Sequence, residues 1–404
     1  RGVSESVLLN CAVKNVQNAK LAEDGFYRVE LPSSLYNCSL AANINTTEFY
    51  YSVIPKSMKD LYVSLGMAKY ERPNVMHGLE NRQILKNMLC VRYQSDKKGI
   101  TVNEDALPVG YTYDKIMHKE DYDSLTPLER QAALLEYAVL DEDGEKILEQ
   151  QEKTFENGKS PSDDTITHGD LKITESDRAS YKGSRLKGKK HGKINLKFRT
   201  EKKSETYLVL KGLSSRSKVR KKQILSVKSK KARFEIPMCA VSNEKEMNRD
   251  FIAVNLGVAQ MGTCSLCFHK SHTYKLNDME IRGISESFIK EQTKERREES
   301  MTEVKQSTNR ISGKISVSED KILQLAVPYS EGWHIYIDGK EAKTFTSSVA
   351  YTGVLIEKGE HTVEMHYISP WIIPGTVLSV AAWIWMALSF AVKKRRISAD
   401  KRIK

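Results

Sequence analysis

The sequence predicts an α+β protein that is mainly antiparallel β and carries one transmembrane helix. Two observations indicate this fold class: an uncharged stretch near the C-terminus, and many short runs of alternating apolar and polar residues between turns rich in Gly, Asn and Ser. We divide the chain into a small extracytoplasmic α+β domain, a jelly-roll-like β-sandwich domain, a linker helix with a small membrane-proximal β domain, a transmembrane helix and a cytoplasmic basic tail. Their bounds are, in that order, 1–150, 151–284, 285–370, 371–392 and 393–404.

The uncharged stretch, residues 371–392, has the length of a membrane span. Its 22 residues would form a helix of ~33 Å, against ~30 Å for a hydrocarbon core. Trp371 lies at its border, where an indole is favoured. A buried core helix is the alternative, but such helices rarely run this long without a charge.

Basic residues after this stretch indicate the topology. Residues 393–404 contain seven Lys/Arg, and such residues next to a span favour the cytoplasmic side. We therefore predict a cytoplasmic C-terminus and extracytoplasmic residues 1–370 at the cell membrane. An outer part of this size needs a signal peptide or an earlier helix to cross, and the chain begins at Arg1 without a signal pattern. We expect it to be the C-terminal piece of a longer membrane protein.

In the first domain, apolar residues three or four apart indicate helices and alternation indicates strands. Thr126, Pro127 and Glu129 form a capping-box start for one helix, which should end near Tyr137. The other predicted helices are 1–23, 57–65 and 79–89. The predicted strands are 26–31, 90–93 and 107–117.

In the predicted sandwich, short alternating runs indicate six strands of an antiparallel fold. These runs are 193–199, 206–211, 223–227, 251–256, 263–269 and 273–276. The charged segment 285–300 predicts a solvated helix.

The membrane-proximal domain has the pattern of paired strands. We predict a hairpin across Asp338-Gly339, a favoured two-residue turn, and a second across Lys358-Gly359. The strand pairs are 301–307 with 311–317, 333–337 with 340–345, and 350–356 with 361–368; a further strand covers 323–327.

Positive charge is concentrated in the predicted sandwich. The chain has a net charge of +12, yet residues 182–233 alone hold 20 Lys/Arg and two acids. A basic block on an otherwise acidic chain suggests an anionic partner. The predicted extracytoplasmic location argues against nucleic acid and favours lipid phosphates or phosphate-rich wall polymers.

Lysine and arginine in this block are the candidate polyanion-binding residues, because several point charges must act together on a phosphate-rich partner. They are Lys187, Lys189, Lys190, Lys218, Arg220, Lys221 and Lys222. The alternative is a solvated sheet face, which is what charge runs usually form.

Cys264 and Cys267, with His269 and His272 nearby, form the one cluster that resembles a metal site. The surrounding residues alternate like a strand, which would point the two cysteines to opposite faces. We therefore expect no zinc and no disulfide between them. The sequence has no P-loop, no dinucleotide fingerprint and no Gly-x-Ser-x-Gly, so we predict no cofactor. Trp333 and Tyr329 could stack on a sugar, but core positions are the more frequent role of such aromatics.

Several motifs resemble those of the YfhO family of bacterial membrane proteins. They are Leu107-Pro108-Val109-Gly110-Tyr111-Thr112-Tyr113-Asp114, Leu125-Thr126-Pro127-Leu128-Glu129-Arg130-Gln131, Val327-Pro328-Tyr329-Ser330-Glu331-Gly332-Trp333 with Ile337-Asp338-Gly339-Lys340, Lys358-Gly359-Glu360-His361-Thr362, and Tyr367-Ile368-Ser369-Pro370. The likeness covers most of residues 24–392, and the block 182–233 is more basic than the family leads us to expect.

The resemblance implies more than the residues do. It implies a polytopic protein similar to GT-C-type glycosyltransferases, which take a sugar from a polyprenyl-phosphate carrier to modify a cell-envelope polymer such as teichoic acid. The catalytic acid of such enzymes is expected in an early extracytoplasmic loop, so no catalytic residue is assigned to this chain. The alternative is a non-enzymatic, membrane-tethered binding or scaffold domain in envelope assembly.

The predicted topology is tested with a reporter fused after Lys404. A reporter active only in the cytoplasm should be active at this position, because the basic cluster retains the C-terminus inside. An inactive fusion, together with activity of an outward-reporting tag at the same place, contradicts the topology.

Overall fold

The computed structural model describes residues 11–19, 25–32, 37, 40, 43–51, 54–68, 75–96, 98–162, 164–215, 223–230, 233–238 and 248–400. Short helices occur mainly in the first part of this set, and a long one ends it. The helices are α1 (Cys11–Asn18), α2 (Lys56–Ser64), α3 (Gln83–Met88), α4 (Lys119–Ser124), α5 (Pro127–Glu136), α6 (Glu142–Gln150), α7 (Glu286–Glu298) and α8 (Ile372–Asp400).

Strands make up most of the remainder. They are β1 (Arg28–Glu30), β2 (Glu48–Tyr50), β3 (Val75–His77), β4 (Val91–Asp96), β5 (Gly99–Val102), β6 (Gly110–Tyr113), β7 (Lys115–His118), β8 (Ala138–Leu140), β9 (Glu156–Asn157), β10 (Ile166–Lys182), β11 (Arg185–Ser215), β12 (Gln223–Ser229), β13 (Arg233–Met238), β14 (Asn248–Phe268), β15 (His272–Lys275), β16 (Asp278–Ser285), β17 (Thr302–Gln306), β18 (Arg310–Val317), β19 (Lys321–Pro328), β20 (Trp333–Ile337), β21 (Lys340–Ala342), β22 (Thr344–Ser347), β23 (Tyr351–Ile356) and β24 (Gly359–Tyr367).

The pairing is mostly antiparallel, which confirms the predicted fold class. Parallel pairs are β1 with β4, and β7 with both β8 and β9. Among the predicted helices, α5 begins as expected: the backbone N–H and the hydroxyl of Thr126 both donate to Glu129 Oε2, at 2.8 and 2.7 Å. Helix 1–23 is confirmed over Cys11–Asn18, and residues 1–10 and 20–23 lie outside the described residues.

Two long strands build the β-sandwich. The first half of β11 pairs with the second half of β14 in one layer, and their other halves pair in a second layer. Between the halves, residues 200–203 of β11 bulge against Gln260, and a bulge of this kind bends a strand. β15 pairs with residues 185–188 and with residues 214–215, so the two ends of β11 meet on the same strand.

The prediction of separate short strands was wrong here. Runs 193–199 and 206–211 are halves of β11, and runs 251–256 and 263–269 are halves of β14. We expected a turn between the first two runs. Residues 200–203 instead stay in the strand, because a bulge can bend a strand without ending it.

The second sandwich layer is buried on both faces. Leu208 and Leu210 point towards the sandwich core, whereas Tyr207 and Val209 point towards the remaining helices and sheets. The sandwich is therefore attached to the rest of the protein through this layer. The other layer, which contains residues 185–199, has an exposed outer face.

Two further sheets pack on a common core. The seven-stranded sheet has the order β6-β19-β23-β22-β8-β7-β9, and the five-stranded sheet has the order β17-β18-β24-β20-β21. Ile315 and Met365 from the second sheet lie in one apolar cluster with Leu323 and Val354 from the first. Strands of the predicted first and third segments thus share a sheet, and the segment boundaries stay a prediction.

One predicted hairpin is confirmed and the other is wrong. Ile337 pairs with Lys340 across Asp338 and Gly339, whose φ angles of 50° and 77° suit the tight turn. No such pairing joins β23 and β24, since β23 pairs with β19 and β22 and β24 pairs with β18 and β20. Every residue of β23 is buried, so it needs a partner on both sides within one sheet, and the chain at Lys358 crosses to the other sheet.

A buried arginine joins the sandwich to the helices. Arg82 is fully buried and donates to Leu65 O, Gln131 Oε1 and Ala253 O at 2.9, 2.7 and 2.8 Å. Glu80 lies 3.7 Å from its Nη2.

Glu205 forms the second half of this buried connection. Its Oε1 accepts hydrogen bonds from the backbone N–H of Gln83 and from Asn255 Nδ2. Burial raises the pKa of Glu205. Arg82 and Glu205 therefore link α2, α3, α5 and the second sandwich layer by directed hydrogen bonds.

The last helix, α8, extends from Ile372 to Asp400. Residues Ile372–Ala391 are long and apolar enough to cross a membrane, and none of them is buried inside the protein. This confirms the predicted apolar helix. The helix continues eight residues beyond the predicted end at 392, into the basic segment.

We expect Arg82→Met to destabilise the protein by about 3–5 kcal/mol, because it removes the buried counter-charge of Glu80 and leaves three buried acceptors without their donor. Unfolding of the full chain in detergent, followed by circular dichroism against temperature or urea, measures the loss. Arg92→Met is the matched control: Arg92 forms a partly exposed ion pair with Glu104, so its loss should cost less than about 1 kcal/mol. Equal midpoints for the two variants contradict the role of Arg82.

Candidate functional site

Three of the seven candidate polyanion-binding residues lie on β11. Lys187, Lys189 and Lys190 are exposed near its start. The other four, Lys218, Arg220, Lys221 and Lys222, lie outside the described residues.

Strand alternation gives residues 185–199 one apolar and one basic side. Leu186, Ile194, Leu196 and Phe198 are buried in the sandwich, so the odd-numbered side chains must face outwards. Gly188 belongs to the inner side, where the ring of Phe268 lies 2.4 Å from the place a Cβ would occupy. Core packing on one side therefore forces the basic side chains into solvent.

Neighbouring strands add further cations to this surface. We call its exposed basic residues the basic face. They are Lys172, Lys182, Arg185, Lys187, Lys189, Lys193, Lys197, Arg199 and Lys275. Successive outward residues on one strand are ~6.6 Å apart. Lys187 and Lys189, and likewise Lys197 and Arg199, are therefore this distance apart on β11.

Some cations of the basic face lie opposite other cations, whereas Arg199 and Lys193 lie opposite Asp170 and Asp177. Arg185 is in register with Lys182 on one side and with Lys275 on the other, and Lys197 is in register with Lys172. Like charges directly opposite each other destabilise a sheet. No ion pair joins any residue of the face to an acid within the described part of the chain, whereas Arg178 and Arg233 nearby are paired with Asp177 and Glu235. The arrangement leaves the charge around Arg185 available to an external anion.

The lowered pKa of His269 is a further sign of a positively charged environment. Burial and the neighbouring charge of Arg233 hold the pKa of His269 below its usual range. Its Nε2 lies 3.0 Å from Ser226 Oγ and 3.2 Å from an Arg233 nitrogen. A neutral imidazole beside a guanidinium avoids adding another charge to this layer.

The two cysteines lie on one strand, as the sequence predicts. Cys264 is buried, and burial raises the pKa of its thiol to about 12, whereas Cys267 is partly exposed. They therefore face opposite sides of β14. Among the described residues no group of three or more His, Cys, Asp or Glu side chains has the geometry of a metal site; the absence of zinc stays a prediction.

The sequence analysis missed a buried acid in β2. Glu48 is 1% exposed and accepts hydrogen bonds from Leu31 N and Thr47 Oγ1, at 3.3 and 3.1 Å. Burial, with a smaller contribution from Glu30, raises the pKa of Glu48 to about 8. Nothing local marks this residue, because its burial comes from strands distant in the sequence.

These features define the class of protein: a membrane protein whose apolar terminal helix follows a large, mainly antiparallel β region. Comparison of the sequence with known families identifies it further. The chain belongs to the family of bacterial membrane protein YfhO, whose sequence model matches residues 9–379.

Individual relatives are distant. The uncharacterized protein YfhO of Bacillus subtilis (strain 168) is 22% identical over 142 residues, which is 35% of this chain and 16% of that protein. The chain thus spans well under two thirds of this relative.

Two solved structures resemble parts of the fold. One is a cycloisomaltooligosaccharide glucanotransferase of Paenibacillus sp., with 7% identity, a TM-score of 0.17, and coverage of 50% of this chain and 45% of that one. The other is the mycobacterial arabinofuranosyltransferase AftD, with 7% identity, a TM-score of 0.17, and coverage of 51% and 24%. At these TM-scores neither likeness defines an activity.

We expect Glu48 to make stability depend on pH. Because its folded pKa of about 8 exceeds its unfolded value of about 4.3, the folded state binds the extra proton. Stability is therefore greatest below the unfolded pKa and falls by up to about 1.4 kcal/mol per pH unit until the pH passes the folded pKa.

Glu48→Gln keeps an acceptor for Leu31 and removes the titration. Urea unfolding of the full chain in detergent between pH 5 and pH 8 should show a flatter dependence for this variant than for the wild type. The control is Glu104→Gln, which changes an exposed carboxylate. Parallel curves for Glu48→Gln and the wild type contradict the assignment.

Proposed function

We propose that this chain is the extracytoplasmic region, last transmembrane helix and cytoplasmic tail of a polytopic membrane protein that modifies a cell-envelope polymer. The full-length protein would transfer a sugar from a polyprenyl-phosphate carrier to an anionic acceptor such as teichoic acid. In this proposal the basic face holds the acceptor. Membership in a family of bacterial membrane proteins supports the membrane setting.

One observation carries the proposed binding role: Arg185 lies in register with both Lys182 and Lys275 without an acidic partner in the described residues. This arrangement costs folding energy through repulsion. A bound polyanion would offset that cost by placing negative charge between the strands. The regular outward spacing of ~6.6 Å suits a linear polymer with repeated phosphates better than a single small anion.

The topology supports the choice of partner. The apolar helix Ile372–Ala391 ends next to a basic segment, which favours a cytoplasmic C-terminus. Residues before the helix then lie outside, where lipid phosphates and wall polymers are the abundant anions. Transfer itself is assigned to residues outside this chain, since the expected catalytic acid of a GT-C-type enzyme belongs to an early loop.

Charge reversal tests the binding role. Replacing Lys187, Lys189 and Lys193 by Glu should weaken binding of the full chain to polyphosphate and to teichoic acid about ten-fold or more at low salt. Three lost contacts contribute roughly 0.5 kcal/mol each, and three new repulsions add to this. Binding is measured by the fluorescence anisotropy of the labelled polymer. The affinity should decrease as the salt concentration rises.

The matched control reverses Lys98, Lys294 and Lys340, which are equally exposed but lie outside the basic face. This variant has the same net charge as the first variant, but it should bind the polymers as tightly as the wild type does. Equal loss in both variants would show a general charge effect, and unchanged binding in the first would show that the basic face is only solvated. Either result ends the proposed acceptor role.

A further inference from the structure

The connection between the five-stranded sheet and α8 is short and fixed at its start. β24 ends at Tyr367, and α8 begins at Ile372. The backbone N–H of Tyr367 donates to Asn309 O at 2.9 Å, and that of Ile368 donates to Gly332 O at 2.8 Å. The chain is therefore held by loops on both sides of β24 until just before the helix.

Little freedom remains after Ile368. Pro370 restricts its own backbone φ, and the first helical bonds already join Ile372 N to Ser369 O and Gly375 N to Trp371 O, at 3.1 and 3.0 Å. The end of the sheet and the start of the helix are thus separated by about one turn of chain. Any membrane that contains the helix must approach this end of the sheet.

Aromatic and aliphatic side chains are exposed at this end. Tyr367, Ile368 and Trp371 are 37%, 43% and 80% exposed. Trp333, which is half-buried, packs its ring edge-to-face on Tyr367, with ring centroids 5.0 Å apart. Gly332 allows the close approach, because a Cβ there would lie 2.6 Å from Ile368 O.

We propose that Trp333, Tyr367, Ile368 and Trp371 form a membrane-contact edge that lies among the phospholipid headgroups. Tyrosine and tryptophan favour this region because each has an apolar ring and a polar group that water can reach. The occupant is the lipid surface rather than another protein, since the patch continues directly into the apolar helix. The inference rests on the proposed crossing of the membrane by α8.

The edge fixes the depth of the five-stranded sheet. Trp333 is in register with Tyr367, whereas Tyr336 is in register with Glu364, which lies three residues before Tyr367 in β24. Tyr336 is therefore ~10 Å farther along the strand from the helix. The sheet should stand on the membrane by one end, with the turn at Gly339 directed away from the lipid.

Tryptophan fluorescence tests this arrangement. Replacing Trp371, Trp383 and Trp385 by Phe leaves Trp333 as the single tryptophan, and these three side chains are exposed, so the fold should be retained. The full chain is reconstituted in phosphatidylcholine vesicles with or without bromine atoms near the headgroup end of the acyl chains. Bromine quenches an indole only at short range, so Trp333 should lose most of its emission.

Two further single-tryptophan variants serve as controls for the insertion of the helix and for the depth of the sheet. One keeps only Trp383, inside α8, and reports insertion of the helix in vesicles whose bromine atoms lie near the methyl end of the acyl chains, because Trp383 lies about 17 Å along the helix from its start. The other carries Trp333→Phe and Tyr336→Trp on the same background, and its indole should remain largely unquenched.

Quenching of Trp383 without quenching of Trp333 overturns the membrane-contact edge and leaves the proposed span intact. Quenching of neither overturns both. Equal quenching at 333 and 336 shows that the sheet lies flat on the membrane, which also overturns the edge.

Discussion

The whole arrangement depends on one fully buried guanidinium. Arg82 binds the end of α2, a glutamine of α5 and the backbone of β14, three parts of the chain that are far apart in sequence. A charge in a protein interior is tolerated only where directed hydrogen bonds replace its water. The second sandwich layer can therefore dock in one position, in which Ala253 O meets Arg82 and Glu205 meets Gln83. Apolar packing alone would not select that position.

This docking explains why the basic face is on the outside. The second layer is buried on both sides, so the first layer alone has a surface for water. Strand alternation then separates its residues into apolar side chains towards the core and cations towards solvent. The proposed acceptor surface and the sandwich core are two sides of the same strand. Changes to the exposed lysines should accordingly leave the core intact.

Local patterns predicted what depends on neighbours in sequence. The capping residues at Thr126 predicted α5, alternation predicted most strands, and the uncharged stretch predicted α8. Pairing between distant strands was beyond such patterns. Nothing near Arg185 indicates that Lys275 flanks it, nor does the run 351–356 show that its partners are β19 and β22. The bulge at residues 200–203 was mistaken for a turn because the alternation of apolar and polar residues stops there.

The seven-stranded sheet has a consequence for the kinetics of folding. Its strand β6, at residues 110–113, pairs with β19, at residues 322–325. During synthesis the earlier strand must wait until roughly two hundred further residues have been made before its partner exists. Long-range pairings of this kind fold slowly and leave strand edges open to aggregation in the meantime. The nascent chain is thus vulnerable from the synthesis of β6 until β19 has been made.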